Sequence, residues 1–371
     1  MPDLDTRAIH DGEPEPRVEG AVSLPIFQTA TYTHDDPDDT VRYVRYNNSP
    51  NHEALHEKLA SLEGTEDALV TASGMAAISS VLMTLLDAGD HLVAPATLYG
   101  GTLDLFDVSG EGPADWEDAL TPNTNVLYAE TIANPLLGVP DLEAMADFAE
   151  AHGLVSVIDS TFASPVNVRP TDLGFDVVLH SGTKYLGGHS DLAAGVVAGS
   201  AEHIDQVGYT LKLLGGMLDP QACFLLHRSL KTLGVRVRQQ NETAQAVAEA
   251  LDEHDAVDRA LYPGLPSHPD HDRARSLFDG FGGMVSFELV PDASVDGFFD
   301  ALTLPVRAPS LGGVETLITQ PIHTSHKSVD PAVREEMGIS ERFVRLSVGL
   351  EGTEDLVQDL ATALDTSRTV E

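Results

Sequence analysis

The sequence predicts an α/β protein, with a larger domain built on a mostly parallel sheet and a smaller C-terminal α+β domain. In the first part of the chain, short apolar runs at residues 126–130 and 154–159 alternate with segments of helical periodicity, which is typical of strand–helix–strand units. Beyond the turn-rich residues 262–266 this alternation stops. The length of 371 residues suits two domains with large apolar cores.

We divide the chain into three segments. Residues 1–50 are rich in Pro, Asp and Thr and show little helical periodicity, so we interpret them as an extended arm that needs another surface to lie on. Residues 51–250 form the predicted α/β domain, and residues 251–371 form the α+β domain. In this last segment we expect strands at residues 284–290, 314–319 and 344–348 and helices at residues 295–302 and 354–364.

The composition is strongly acidic. The chain has 59 acidic and 21 basic residues, a net charge of −38, and the acidic residues are spread over its whole length. This sign of charge argues against nucleic-acid binding, and 42% hydrophobic residues argue against a disordered acidic tail. We interpret the charge as an acidic surface of the halophilic kind, whose self-repulsion makes stability rise with salt.

The sequence also favours a soluble, cytoplasmic protein that neither crosses a membrane nor holds a metal. It contains one cysteine, Cys223, which excludes a disulfide framework and a multi-cysteine metal site. It shows no signal peptide and no apolar run long enough to cross a membrane.

The first helices of the α/β domain lead to a candidate phosphate site. Apolar residues recur at helical spacing over residues 51–62, and Gly64 ends this helix. A strand-like run at residues 67–71 then leads into Ser73-Gly74-Met75 and a second helix. A Ser-Gly pair at a helix start presents free N–H groups that suit a phosphate, but it equally suits a plain N-cap.

Two further residues follow strand-like runs. The strand at residues 154–159 delivers Asp159 to its carboxyl end, where open α/β sheets bind their ligands, although a turn or helix cap is an alternative role. A short strand at residues 91–95 precedes Tyr99, whose ring could lie on a planar ligand because two glycines follow it. Helices are expected at residues 142–152, 225–233 and 241–251.

Lys184 is the most conspicuous residue of the chain. It lies in a glycine-rich turn between the apolar runs 177–179 and 193–198, and it is one of only five lysines. A desolvated lysine loses its proton readily and can attack a carbonyl to form a Schiff base. Ser181 and Thr183, at alternate positions before it, offer hydroxyls to a phosphate. The alternative is a plain hairpin whose lysine points into solvent.

Together these features match one cofactor, pyridoxal phosphate. Its chemistry requires an amine, here Lys184, and an acid that keeps the ring nitrogen protonated, here Asp159. It also requires a helix end with hydroxyls for the phosphate and a flat side chain against the ring. The Ser73-Gly74 helix start and Tyr99 supply these.

The chain resembles the Cys/Met-metabolism family of pyridoxal-phosphate enzymes, which includes cystathionine γ-synthase, cystathionine γ-lyase, methionine γ-lyase and O-acetylhomoserine sulfhydrylase. Matching segments run from about residue 7 to residue 352, and the most specific motif is Ser181-Gly182-Thr183-Lys184-Tyr185. The resemblance implies the fold type I of pyridoxal-phosphate transferases. It further implies that Lys184 carries the cofactor and moves protons, that Asp159 pairs with the ring nitrogen, and that Tyr99 stacks on the ring and assists catalysis.

The resemblance also implies how phosphate and substrate are bound. Phosphate contacts are expected from Ser73, Gly74, Met75, Ser181 and Thr183, joined by Tyr43 and Arg45 of a neighbouring subunit. Substrate contacts to the α-carboxylate are expected from Ser310 and Arg345, with Asn134 nearby, because the arginine fork binds a carboxylate bidentately. The residue 1–50 arm would then contact the neighbour, and the family implies a homotetramer built as a dimer of dimers.

The expected activity is γ-replacement or γ-elimination of the cystathionine γ-synthase or γ-lyase type. The alternatives are a methionine γ-lyase, an O-acetylhomoserine sulfhydrylase, a β-lyase, or a regulator that keeps the cofactor without turnover. Some positions depart from the family pattern: the segment after Arg45 is one residue longer, and Gly101, Asp104 and Pro309 differ from residues typical of several relatives. Asp104 and Pro309 argue against tight binding of a long, doubly charged substrate.

Overall fold

The computed structural model describes residues 2–38, 40–95, 98–105, 116–325, 327 and 329–368. Two β-sheets organise these residues. The first has the strand order β1-β6-β5-β4-β3-β2 and consists of β1 Asp67–Thr71, β2 His91–Val93, β3 Thr124–Glu130, β4 Val155–Asp159, β5 Val177–Ser181 and β6 Gly195–Gly199. Strands β2 to β5 are parallel, and β6 is antiparallel to both β1 and β5. The predicted mostly parallel sheet is confirmed.

Helices cover both faces of this sheet. In β3, Val126 and Tyr128 pack into one apolar cluster, whereas Leu127 and Ala129 pack into another on the opposite face. This alternation explains why the strands are continuous apolar runs. The helices of this part are α1 Leu4–His10, α2 Pro50–Glu63, α3 Gly74–Leu85, α4 Gly100–Leu105, α5 Trp116–Ala119, α6 Leu142–His152, α7 Ser164–Asn167, α8 Ala201–Leu214 and α9 Pro220–Leu230.

The second sheet has the strand order β7-β8-β11-β10-β9 and is antiparallel except for the β9–β10 pair. Its strands are β7 Val257–Leu261, β8 Met284–Leu289, β9 Val306–Arg307, β10 Leu317–Thr319 and β11 Phe343–Ser347. The remaining helices are α10 Leu233–Asp252, α11 His271–Leu277, α12 Val295–Ala301, α13 Pro331–Glu336 and α14 Thr353–Ser367.

Helix α10 runs through both cores. Leu233 and Val237, near its start, pack into the cluster around the first sheet. Ala244, Val247 and Leu251, further along, pack into the cluster around the second sheet. The sheets and cores agree with a larger α/β part and a smaller α+β part, while the segment boundaries at residues 50 and 250 stay a prediction.

Three local predictions were wrong. The arm begins with helix α1, which is capped by Asp3 and packs on α2, where Lys58 Nζ donates to Ala8 O at 2.8 Å. The helix expected at residues 225–233 breaks after Leu230, where the carbonyl of Ser229 accepts a hydrogen bond from the guanidinium of Arg236. The strand expected at residues 314–319 begins only at residue 317. No helix among the described residues is long and apolar enough to span a membrane.

Candidate active site

A cavity of about 700 Å³ opens at the carboxyl ends of β3, β4 and β5. Parallel strands end at one edge of a sheet, so residues distant in sequence meet there. All but two of the predicted site residues line this cavity: Ser73, Gly74, Met75, Tyr99, Asn134, Asp159, Ser181, Thr183, Lys184, Ser310 and Arg345.

Lys184 follows β5 in a tight turn, where its N–H donates to Ser181 O at 3.1 Å. Its side chain faces the cavity rather than solvent, and Nζ donates to Ser310 Oγ at 2.9 Å. Burial, helped by the positive charge of Arg345, lowers the pKa of Lys184 from 10.5 to about 8, while Asp159 acts in the opposite direction. The amine is thus far easier to deprotonate than an exposed lysine.

Asp159 ends β4, and its Oδ1 accepts the Thr161 N–H at 2.9 Å. Burial raises the pKa of Asp159, whereas the Thr161 hydrogen bonds and the charges of His180 and Lys184 oppose that rise. Behind Asp159, the buried His180 Nε2 lies 2.7 Å from Glu63 Oε1. Burial would lower the pKa of His180, but the Glu63 carboxylate more than offsets this and raises it. A cationic His180 therefore favours the ionised form of Asp159.

The start of α3 forms the candidate phosphate cradle. Ser73 caps the helix, because its Oγ accepts the Ala76 N–H at 3.1 Å. The N–H groups of a first helical turn have no partner within the helix, so they are available to an anion. Gly74 permits a close approach to Ser181, since a Cβ at position 74 would lie 3.0 Å from Ser181 Cβ. The Thr183 hydroxyl bonds both the N–H and the carbonyl of Ala194, which secures the turn.

Arg345 lies on β11 and is buried. Its Nη1 donates to Asn134 Oδ1 at 3.0 Å and its Nη2 to Ser310 O at 3.2 Å. Burial lowers the pKa of Arg345 to about 10, which still leaves the guanidinium charged at neutral pH. Ser310 has a φ of +93°, a strained conformation for a residue with a side chain. These contacts hold the guanidinium in place at the cavity, and the expected binding of a substrate carboxylate there remains a prediction.

Tyr99 immediately precedes α4 and is 44% exposed. Its N–H donates to Glu130 Oε1 at 2.6 Å. The glycine at position 101 leaves room for the ring, since a Cβ there would lie 2.6 Å from Tyr99 Cε1 and 3.2 Å from Met75 Sδ. Gly101, one of the positions that depart from the family pattern, therefore affects where the Tyr99 ring can lie.

Tyr43 and Arg45 do not reach the cavity of their own chain. Arg45 Nη1 donates to Lys212 O at 2.9 Å, and its guanidinium lies over the rings of Tyr43 and Tyr46. These residues lie beside α8, where Tyr209 and Leu213 are exposed. The expected contact of Tyr43 and Arg45 with a neighbour's phosphate remains a prediction.

Some cavity residues were not predicted from the sequence. Glu130 ends β3, as Asp159 ends β4, and the same strand-end rule could have found it. The turn at residues 323–325 also lines the cavity, but no sequence pattern connects it to the strand ends. Two other places depart from the family pattern. Pro309 lines the cavity, and the segment after Arg45 that is one residue longer contains Ser49, which caps helix α2. The side chain of Asp104 lies outside the described residues.

The residues fit pyridoxal phosphate on four counts. The cavity holds an easily deprotonated amine in Lys184, a strand-end acid in Asp159, and a glycine-opened helix start beside Ser181. It also has an aromatic ring at its edge in Tyr99. These four features suit, in turn, the aldehyde, the ring nitrogen, the phosphate and the ring face of the cofactor.

Comparison with known proteins agrees with this fit. The profile described as "Cys/Met metabolism PLP-dependent enzyme" matches residues 5–365. The chain is 40% identical to cystathionine beta-lyase of Lactococcus lactis subsp. cremoris (strain MG1363), over 98% of this chain and 100% of the relative. It is also 40% identical to cystathionine gamma-lyase of Bacillus subtilis (strain 168), over 97% and 98%.

A solved structure agrees over the same length. The crystal structure of cystathionine gamma synthase from Xanthomonas oryzae pv. oryzae in complex with cystathionine superposes with a TM-score of 0.95 at 37% identity, and 99% of each chain is covered. The predicted type I fold is confirmed, and the cofactor of this family is pyridoxal 5'-phosphate. The cavity at the strand ends and these likenesses lead to one conclusion: the chain belongs to the Cys/Met-metabolism family of pyridoxal-phosphate-dependent enzymes.

Proposed function

We propose that this chain is a trans-sulfuration enzyme that eliminates or replaces the γ-substituent of an amino acid, in the manner of cystathionine γ-lyase or γ-synthase. The observation that carries the proposal is the position of Lys184 Nζ. It lies 2.9 Å from Ser310 Oγ, within electrostatic reach of both Asp159 and Arg345. One amine thus lies beside an acid and a carboxylate site, as removal of an α-proton from an amino acid requires.

Each side chain has a task in this proposal. Arg345, Ser310 and Asn134 bind and orient the α-carboxylate of the substrate. Lys184 would hold the cofactor, and its amine can take the proton from the substrate α-carbon. Asp159 keeps the ring nitrogen protonated. When bound, pyridoxal phosphate supplies the electron sink that stabilises the resulting negative charge.

The substrate class is proposed from the relatives and from the cavity. The curated relatives include both cystathionine β- and γ-lyases, and similar solved structures include a γ-lyase and a γ-synthase. Among the described cavity residues, His323 is the basic side chain not already used by the amine or carboxylate sites. An imidazole there can donate a hydrogen bond to the far carboxylate of cystathionine, which methionine lacks. This favours cystathionine over methionine.

Product analysis tests the proposal. With one water consumed, cleavage of cystathionine on its four-carbon side releases cysteine, ammonia and a four-carbon 2-oxo acid, whereas cleavage on its three-carbon side releases homocysteine, ammonia and a three-carbon 2-oxo acid. We expect the four-carbon acid, together with formation of cystathionine from cysteine and O-acetylhomoserine. The three-carbon acid as the main product would establish a β-lyase. A kcat/KM for methionine at least about tenfold above that for cystathionine, or roughly 1.4 kcal/mol, would contradict the choice of substrate.

We also propose that the active form is a homo-oligomer in which Tyr43 and Arg45 complete the phosphate site of a neighbouring copy. Support comes from their position away from their own cavity, next to the exposed Tyr209 and Leu213. Sedimentation of the wild type and of Arg45→Ala tests this. We expect at least a dimer, a homotetramer by family analogy, and weaker cofactor binding in the variant.

A fully active monomer would refute the oligomer. Because the net charge is −38, low salt should loosen the assembly, as expected for a halophilic protein. A cytoplasmic location, where small amino-acid substrates are available, is part of the same proposal.

A further inference from the structure

Glu130 is a buried acid of the cavity that the proposed function leaves without a task. It is the last residue of β3, and only 7% of its surface is exposed. In the sheet register it lies directly opposite Asp159, the last residue of β4. The cavity therefore contains two carboxyl groups on neighbouring strand ends.

The contact of Glu130 is with the backbone of the Tyr99 turn. Its Oε1 accepts the Tyr99 N–H at 2.6 Å, across 31 positions of sequence. On the other side of the same residue, Tyr99 O accepts the Thr102 N–H at 2.8 Å, which begins α4. The hydrogen bond from Glu130 thus joins the end of a buried strand to the turn that carries an exposed aromatic ring.

The ring position depends on that turn. A Cβ built on Gly101 would lie only 2.6 Å from Tyr99 Cε1. The same Cβ would lie 3.2 Å from Met75 Sδ. The ring therefore lies against the start of α4, at the cavity that Met75 also lines. A shift of the turn would move the ring relative to both.

The chemistry of Glu130 suits a fixed contact better than proton transfer to substrate. Burial, and then the charge of Asp159, raise the pKa of Glu130 to about 8, while the Tyr99 N–H opposes the rise. Near neutral pH the carboxyl is therefore mostly protonated and repels Asp159 little. A carboxyl oxygen accepts a backbone N–H in either protonation state, so the bond to Tyr99 persists.

We propose that Glu130 is a positioning residue: its hydrogen bond to the Tyr99 N–H fixes the turn and so fixes the Tyr99 ring against the bound cofactor. This inference rests on the proposed function and on the stacking of Tyr99 on the cofactor ring that the family resemblance implies. It assigns to Glu130 no contact with the reacting atoms. The proposed role requires an oxygen at position 130 that accepts the Tyr99 N–H, and it does not require a negative charge there.

Four variants of the holoenzyme test the inference. Glu130→Gln keeps an acceptor oxygen without a carboxyl, Glu130→Leu removes the acceptor at similar size, and Tyr99→Ala removes the ring. Glu66→Leu is the matched control, since Glu66 accepts the Ala201 N–H at 2.9 Å outside the cavity. The readouts are the visible circular dichroism of the bound cofactor, which reports its orientation, and kcat and KM measured separately.

We expect Tyr99→Ala and Glu130→Leu to lose half or more of the cofactor dichroism. In Glu130→Leu, kcat should fall about tenfold, the size of one lost hydrogen bond, with KM within about threefold. Glu130→Gln and Glu66→Leu should stay within about twofold of the wild type in both readouts. If Glu130→Leu does not yield folded protein, Glu130→Ala takes its place.

The outcomes separate the two proposals. Normal dichroism and kcat in Glu130→Leu, with altered dichroism in Tyr99→Ala, would overturn the role of Glu130 alone. Equal damage in Glu130→Gln and Glu130→Leu would overturn it as well, because the carboxyl rather than the acceptor would then be essential. Unchanged dichroism in Tyr99→Ala would overturn the stacking of Tyr99 and with it this inference.

Discussion

Lys184 Nζ lies 2.9 Å from Ser310 Oγ, although 126 positions of sequence separate the two residues. The carbonyl of the same serine accepts a hydrogen bond from Arg345 at 3.2 Å. Ser310 therefore connects the amine of Lys184, which follows β5 of the first sheet, to the guanidinium of Arg345 on β11 of the second. Its left-handed φ of +93° lets one residue present its side chain to Lys184 and its carbonyl to Arg345.

Replacing Ser310 by alanine should separate these two contacts. The variant keeps the backbone carbonyl that orients Arg345 but loses the hydroxyl near Lys184. We expect kcat to fall about tenfold because the amine is less well oriented, and KM to change less than about threefold. Steady-state kinetics with one substrate measure both. A large rise in KM with normal kcat would show instead that the hydroxyl binds substrate.

Lys184→Ala should abolish covalent attachment of the cofactor and lower turnover by about a thousandfold or more, since the variant lacks the base. Borohydride reduction followed by peptide mapping of the wild type should place the label on Lys184. Lys212→Ala, a variant of a lysine outside the cavity, serves as the control and should keep the label. A label on Lys58, Lys212, Lys231 or Lys327 would refute the assignment.

The capture of pyridoxal phosphate by the apoenzyme should depend on pH. Burial disfavours the charged amine, so the pKa of Lys184 falls to about 8, and only the neutral amine reacts. The capture rate should rise with pH, reach half of its maximum near pH 8 and level off above about pH 9. Arg345→Gln removes a positive charge that favours the neutral amine, so its midpoint should move to higher pH.

Visible absorbance after mixing follows the capture reaction. Arg238→Gln, at an exposed ion pair with Asp5, is the control and should not move the midpoint. A wild-type rate that still rises above about pH 10 would contradict the lowered pKa.

Asp159→Asn should weaken catalysis more than cofactor binding. An amide cannot supply the negative charge that keeps the ring nitrogen protonated, so kcat should fall about a hundredfold. Cofactor affinity should change less than tenfold, because the phosphate cradle at the start of α3 is untouched. Cofactor titration and turnover measure the two effects. Normal turnover in a fully loaded variant would show that Asp159 does not pair with the ring nitrogen.

His323→Ala should discriminate between substrates. If the imidazole contacts the far carboxylate, the variant should lose roughly tenfold in kcat/KM for cystathionine, about 1.4 kcal/mol, and less than twofold for methionine. The ratio of the two constants in one preparation cancels errors in active-site concentration. An equal loss of kcat/KM for both substrates would mean that His323 shapes the cavity and does not contact the far carboxylate of cystathionine.

The sequence predicted the parts of the site that obey local rules. Asp159 was found because a strand-end acid has a known place in open sheets, and Lys184 because a glycine-rich turn isolates it. Glu130 obeys the same strand-end rule but was missed, since its partner is a backbone N–H that no pattern reveals. The contact of Lys184 with Ser310 is tertiary and could not be predicted from spacing. The α9–α10 break was hidden because apolar periodicity continues across it.

Helix α10 has a consequence for how the protein melts. Its 20 residues supply side chains to the core of each sheet, so loss of either core removes part of the packing that holds the helix. The two halves should therefore unfold together, in one cooperative transition, rather than as separate lobes. Heating would then disassemble the pairing of Lys184 with Ser310 only when the whole chain unfolds.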